Sequence, residues 1–178
     1  MINTKVKYQQ LLLIGLDYAG KTTLIKRFKT IPENSAEYFH TTPYINIEKI
    51  TLPFSNSPCV VYDLSGQGRY RENWSFFYPD VDGIFFVVDT ADRDRLSAVQ
   101  EILMHIAKHP GLRDREIPFV ILANKQDLED SVDELLLRKI LQVDQLKTLN
   151  SMRYFVKNII GVTGQGVSEC FQMFEGRT

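Results

Sequence analysis

Leu11-Leu12-Leu13-Ile14-Gly15-Leu16-Asp17-Tyr18-Ala19-Gly20-Lys21-Thr22 decides the reading of this chain. Consecutive aliphatic residues suit a strand buried on both faces. The stretch from Gly15 to Thr22 then fits the phosphate-loop pattern G-x-x-x-x-G-K-[ST], and Leu24, Ile25 and Phe28 follow at helical spacing. Glycines let successive backbone N–H groups turn toward phosphates, and the helix N-terminus adds its positive dipole end. In this pattern Lys21 reaches the β and γ phosphates and the Thr22 hydroxyl ligates Mg²⁺. The alternative is a strand-to-helix turn that binds nothing. Such a pattern arises by accident in roughly one chain in a hundred or fewer, before its strand and helix context is counted.

Outward from this loop, 178 residues that are 44% hydrophobic suit one compact soluble domain over residues 1–178. No stretch is long and apolar enough to cross a membrane. A net charge of −1, with lysines and arginines scattered, offers no field for nucleic acid. Cys59 and Cys170 stand far apart in sequence and suit packed thiols in a reducing, intracellular compartment. His40, His105 and His109 make no metal-ligand spacing with them.

Strand-like apolar runs alternate with amphipathic ones, as in a parallel α/β sheet. The buried strands are expected at Leu11–Ile14, Val60–Leu64, Ile84–Val88, Phe119–Ala123 and Tyr154–Val156. Ile45, Ile47, Ile50 and Leu52 read as a half-exposed strand. The turn cluster Ser55-Asn56-Ser57-Pro58 joins it to Val60, so one edge is expected antiparallel. Helices are expected after the phosphate loop, over residues 94–108 (Val99, Ile102, Leu103, Ile106 inward), around Leu135, Leu136, Ile140 and Leu141, and over 167–175 (Phe171, Phe174 inward). The sum is an α/β fold: a doubly wound phosphate-loop NTPase domain whose six-stranded, mostly parallel sheet carries helices on both faces. Ligands bind such sheets at the carboxyl ends of the strands, where every motif falls.

Asp63-Leu64-Ser65-Gly66-Gln67 begins as the Val60 strand ends, where an acidic side chain can hold Mg²⁺ through water and the Gly66 amide can meet a γ phosphate. Asn124-Lys125-Gln126-Asp127 follows the Phe119 strand. A carboxylate at Asp127 accepts from both N1–H and the exocyclic amine of guanine, which adenine cannot supply, while the Lys125 stem covers the ring. A site built on such hydrogen bonds can reject the wrong partner by roughly 10⁴ to 10⁵. Taken alone, Asn124 to Asp127 is also a plausible helix-capping turn. A phosphate-loop kinase would share Lys21 and Thr22 but has no use for a guanine reader.

These motifs, from about Gln10 to Phe174, resemble the Arf-like branch of the Ras-superfamily small GTPases. Gly15-Leu16-Asp17, Ala19-Gly20-Lys21-Thr22-Thr23 and Asn124-Lys125-Gln126-Asp127-Leu128 are Arf-like. Asp63-Leu64-Ser65-Gly66-Gln67-Gly68-Arg69-Tyr70-Arg71 with Trp74, Ile47-Glu48-Lys49 and His109-Pro110 most resemble the subfamily implicated in Bardet–Biedl syndrome, which recruits the BBSome coat to ciliary membranes. The resemblance implies a G domain, a GTP/GDP ligand with Mg²⁺ held by Thr22, Thr42 and Asp63, and nucleotide contacts from Asp17, Tyr18, Ala19, Gly20, Lys21, Thr22, Thr23, Thr42, Gly66, Asn124, Lys125, Asp127 and Asn158. It implies that Gln67 orients the attacking water. Trp74, Phe77, Ile45 and Tyr62 form either an effector-reading surface or ordinary core. Hydrolysis is expected to be slow without an activating protein, because no arginine in the motifs is an evident counterpart to the one that raises the rate in the related Ras system by roughly 10⁵. Implied partners are an effector or coat protein, an exchange factor and an activating protein. The implied setting is the cytoplasm, peripheral to membranes, at or in the cilium. A GTP-dependent scaffold that scarcely hydrolyses is the alternative.

The chain also departs from the pattern. Thr42-Pro43-Tyr44 stands where the family has Thr-Ile-Gly, so either Thr41 or Thr42 meets the metal. Val156-Lys157-Asn158-Ile159 is matched to the C-terminal guanine loop, which normally carries a small Ser/Cys-Ala pair; backbone contacts to the base survive there or affinity is weakened. Ile2 occupies the place of a myristoylated glycine. Either the chain is truncated or this member lacks the lipid, and membrane attachment would run only through such an N-terminal segment.

Overall fold

The structure, a computed structural model, describes residues 8–28 and 44–176. Along the chain come β1 (Gln9–Gly15), α1 (Lys21–Phe28), β2 (Ile45–Thr51), β3 (Pro58–Leu64) and β4 (Gly83–Asp89). Then follow α2 (Leu96–Ala107), β5 (Pro118–Asn124), α3 (Glu134–Ile140), α4 (Val143–Leu146), β6 (Arg153–Asn158) and α5 (Val167–Phe174). The strands form one six-stranded sheet in the order β2-β3-β1-β4-β5-β6. All neighbours are parallel except β2 and β3, whose register runs from Ile45 opposite Leu64 to Thr51 opposite Pro58. β1 leads to β3 on one side and β4 on the other, so the strand order reverses at its carboxyl end, where the phosphate-loop sequence begins.

The two-residue period of the strands divides the core. Leu12, Ile14, Ile84, Phe86, Phe119 and Ile121 face α2, α3 and α4. Leu11, Leu13, Phe85, Val87, Val120 and Leu122 face α1 and α5, where Phe28 packs edge to face against Phe85 and Phe171. The β2–β3 hairpin closes as Leu52 and Ser57 bond and Asn56 adopts a φ of 53°, within the predicted turn.

The third helix forms where it was expected, but with a different inner face. Asp133 caps it by accepting from Leu136 N at 2.7 Å, and that start sets the phase so that Leu137 and Leu141 are buried. Leu135 and Leu136 are left 65% and 44% exposed. A 3₁₀ segment, Gly68–Phe76, was not anticipated; glycine, arginines and Asn73 hide any apolar period there. No helix among the described residues is long and apolar enough to cross a membrane.

Candidate functional site

β1 hands the chain to a loop that curls tightly around its own lysine. Lys21 Nζ donates to the carbonyls of Gly15 (3.0 Å) and Leu16 (2.8 Å) and is almost wholly buried. Burial pushes its ammonium down to about 8, against the upward pull of Asp63 and Asp17. A phosphate in this cradle would restore the counter-charge that burial removes. Gly20 takes a φ of +103°, and a Cβ on it would stand 2.3 Å from Asn124 Nδ2, so only glycine fits. Ala19 is buried, Thr23 half-buried, and Tyr18 stands 70% exposed at a φ of 62°, uncommon for a bulky side chain.

Beside the cradle, Thr22 Oγ1 lies 3.4 Å from Asp63 Oδ2, and Asp63 is fully buried at the end of β3. Two hard oxygen donors at the mouth of a phosphate loop suit Mg²⁺, which typically takes one or two protein oxygens and completes its shell with phosphates and water. Among the described residues no three His, Cys, Asp or Glu gather as a metal cluster, and this binding mode needs none. Thr41 and Thr42 lie outside the described residues.

Gly66 presses directly on the phosphate loop: a Cβ there would stand 2.3 Å from Asp17 N and 2.5 Å from Gly15 O. Arg71 fixes this docking by donating to Gly66 O at 2.8 Å while its guanidinium lies 3.6 Å from Asp17 Oδ1. Arg95, at the start of α2, also donates to Asp17, to its carbonyl (3.2 Å) and its carboxylate (3.3 Å). Nothing in the sequence pattern marks Asp17 as the partner of two arginines, because they lie 54 and 78 positions downstream. Gln67 caps the 3₁₀ segment, half-buried, its Oε1 accepting from Arg69 at 3.3 Å.

The base loops sit at the ends of β5 and β6. Asn124 is buried and uses both ends of its amide: Nδ2 donates to Ala19 O at 2.8 Å and Oδ1 accepts from Gly161 N at 2.9 Å. Thr90 Oγ1 donates to Asn124 O at 2.7 Å, and Gln126 Nε2 donates to Thr90 Oγ1 and Val132 O. Lys125, at a φ of 69°, pairs with Asp89 at 2.6 Å, and Asp127 is exposed at the loop's outer end. Asn158 does not join this constellation; it lies exposed at the end of β6, and the loop that Asn124 holds is Ile160-Gly161-Val162. The stretch Val156-Lys157-Asn158-Ile159 matched to the family's loop is mostly strand: β6 runs to Asn158, so the loop starts later. Gly161, in open sequence context, was missed. Its signal was a small residue shortly beyond the strand.

Trp74 is likewise core rather than surface. It is 2% exposed, packs edge-on against Phe86, and its indole donates to Ser65 O at 3.0 Å. Phe77 and Tyr62 are half-buried against each other, while Tyr44, Ile45, Ile47 and Phe76 carry the exposed apolar surface here.

A parallel sheet with phosphate and base loops joined through one buried asparagine is the architecture of a small GTPase. The family model of the ADP-ribosylation factor family matches residues 1–177. ADP-ribosylation factor-like protein 6 of Danio rerio is 35% identical over 147 residues, covering 82% of this chain and 77% of that protein. The structure of the Arl6 (BBS3) small GTPase of Trypanosoma brucei, with the bound nucleotide analogue GppNp, superposes with a TM-score of 0.80 at 29% identity, covering 96% of this chain and 97% of that one. The chain belongs to the ADP-ribosylation factor family, and it binds guanine nucleotide and hydrolyses GTP as those GTPases do.

Proposed function

We propose that residues 1–178 act as one G domain, a switch that recruits an effector or coat complex in membrane or ciliary trafficking while GTP-bound and turns over slowly on its own. The observation that carries this reading is the Asn124 amide, which ties the phosphate loop at Ala19 to the base loop at Gly161, so that one molecule spans both. In this reading Lys21 grips the β and γ phosphates, with Asp17, Tyr18, Ala19, Gly20, Thr22 and Thr23 lining the phosphate side. Thr22, Asp63 and Thr42 hold Mg²⁺, which neutralises charge on the phosphates when bound. Lys125 covers the base, Asp127 reads its edge and the backbone at Gly161 faces the base rim. The Gly66 amide senses the γ phosphate, and Gln67 orients the water that attacks it.

The trafficking role rests on likeness to the Arl6 proteins and on the exposed Tyr44, Ile45, Ile47 and Phe76 beside the switch loops, where a partner would find apolar area. An exchange factor and an activating protein would set the cycle. Competition binding against a fluorescent guanine nucleotide tests the core of the reading. ATP should compete roughly 10³-fold or more worse than GTP. Asp127→Asn replaces an acceptor by a donor and should shift preference toward xanthine nucleotides, whose 2-oxo group complements it. Equal competition by ATP would overturn the assignment. A scaffold that scarcely turns over is separated by single-turnover hydrolysis with and without cell extract, since stimulation that requires Gln67 is foreign to a pure scaffold.

A further inference from the structure

Four side chains form a ladder from the entry of β2 to the glutamine of the site's second loop, residues 65–67 after β3. Gln67 Oε1 accepts from Arg69 Nη2 at 3.3 Å. The Arg69 guanidinium lies over the Tyr70 ring, 4.6 Å from its centroid. Tyr70 meets Tyr44 edge to face, with centroids 4.9 Å apart at 60°, and hydrogen bonding to Tyr44 pushes the Tyr70 phenol up. Tyr44 is anchored in turn, its carbonyl accepting from Ser65 N at 3.0 Å next to Gly66.

The chemistry of the last rung gives the ladder a direction. A carboxamide has one acceptor atom, Oε1, and its Nε2 only donates. To orient an attacking water, Gln67 must accept one of the water's hydrogens at Oε1. A guanidinium has five donors and no acceptor, so Arg69 can engage Gln67 only at that atom, taking one of its two lone pairs and fixing the side chain where Arg69 stands. The planar cation is steadied by the Tyr70 face, a contact of moderate strength at an exposed site.

We propose that Arg69, steadied by Tyr70 and Tyr44, is an intrinsic brake on GTP hydrolysis: a positioning residue that holds Gln67 away from the water it must orient. The brake rests on the role given to Gln67 above. Because Arg69 is exposed and Tyr44 is 64% exposed, a partner that takes up either side chain lifts the restraint.

Single-turnover hydrolysis by GTP-loaded, Mg²⁺-replete protein tests it, with release of a fluorescent GDP analogue as the measure of site integrity. Arg69→Ala should hydrolyse roughly 3- to 10-fold faster than wild type, the range set by one exposed charge-assisted hydrogen bond. Arg69→Lys, which keeps the charge without the planar fork, should fall between the two. Tyr70→Leu and Tyr44→Ala should each give a smaller rise. All gains should vanish in a Gln67→Leu background, and nucleotide release should stay at the wild-type rate in every arm. Damage to the fold does not accelerate hydrolysis, so a Gln67-dependent gain is specific to the brake. If Gln67→Leu is slow and Arg69→Ala is no faster than wild type, the brake alone is overturned, as it is if the gain persists without Gln67. If Gln67→Leu hydrolyses as fast as wild type, the assignment of Gln67 falls first and the brake falls with it.

Discussion

Around Asn124 the contacts are buried, short and directed at backbone: Ala19 O, Gly161 N and the Thr90 hydroxyl on the Asn124 carbonyl. Around Gln67 they are long side chains, exposed or only partly buried: Arg69 on the glutamine, Arg71 and Arg95 on Asp17, Tyr70 on Tyr44. Buried hydrogen bonds to backbone are costly to leave unmade, whereas exposed ion pairs contribute about 0 to 1 kcal/mol each and exchange readily with water or a partner. The base side is therefore built to keep one geometry and the switch side to give its geometry up. That division suits a protein whose ligand must be read unchanged at one end and whose surface must change at the other.

The sharpest way to break the comparison is Asn124→Ala. It strands Ala19 O and Gly161 N in a buried site, at about 1 to 3 kcal/mol each. Release of a fluorescent guanine nucleotide should accelerate at least 100-fold, and the thermal midpoint should drop. Arg95→Ala, on the switch side, should change release less than about threefold. Equal effects would erase the distinction between the two halves.

Lys21 sits where the halves meet, and its burial makes the empty cradle sensitive to pH. Its folded-state value, about 8 against the 10.5 of a free lysine, is depressed, so below pH 8 the cost of the buried charge is present in full, about 3 kcal/mol. Between pH 8 and 10.5 the unfolded chain keeps a proton that the folded chain has lost, and this cost is relieved as pH rises. Cys59 and Cys170, pushed up to about 12 by burial, act in the opposite direction above pH 9. The measurement is therefore the difference in denaturant stability between nucleotide-free wild type and Lys21→Met. From pH 7.5 to 10 that difference should move in favour of wild type by about 2 to 3 kcal/mol. A constant difference would mean that the cradle is wetter than its geometry shows.

Gly66→Ala tests the switch side. The new methyl would fall 2.3 Å from Asp17 N, against backbone that cannot give way, so the second loop must lift off the phosphate loop at about 1 to 3 kcal/mol. Trp74 is the only tryptophan, and its indole bonds Ser65 O, next to Gly66, which makes its fluorescence a local reporter. The difference in emission between GDP- and GTP-loaded protein should shrink to less than half of wild type, while nucleotide release stays within a few-fold. A full fluorescence response would place the sensing of the γ phosphate elsewhere.

The fold was legible in the sequence because strand and phosphate loop are local patterns. Aliphatic runs such as Phe119–Ala123, and the spacing from Gly15 to Thr22, need no knowledge of what packs against them. What escaped was set by partners distant in sequence. Asp17 acquires Arg71 and Arg95 only when β3 and α2 are brought alongside β1, and Trp74 is core only because Phe86 lies beneath it. Gly161 is marked by an asparagine 37 positions earlier, which the stretch Val156-Lys157-Asn158-Ile159, matched to the family's loop in sequence alone, does not reveal. The phase of α3 was misread because four neighbouring apolar residues, Val132 and Leu135 to Leu137, fit more than one helical face until Asp133 fixed the first turn.

The smallest predicted effect concerns Tyr18, which belongs to the rigid phosphate loop yet carries a solvent-exposed ring. At a φ of 62° a side chain with a Cβ costs about 1 to 2 kcal/mol, which glycine avoids, though glycine returns part of the gain through the entropy of the unfolded chain. The ring is 70% exposed, so little burial is lost on removing it. Tyr18→Gly should therefore raise the thermal midpoint by about 1 to 4 °C and leave nucleotide release unchanged. A lower midpoint with unchanged release would mean that the ring packs on the protein more than its exposure indicates. A raised midpoint with faster release would mean that the strain at Tyr18 helps to hold the nucleotide, and the line between rigid and yielding halves would then run through the phosphate loop itself.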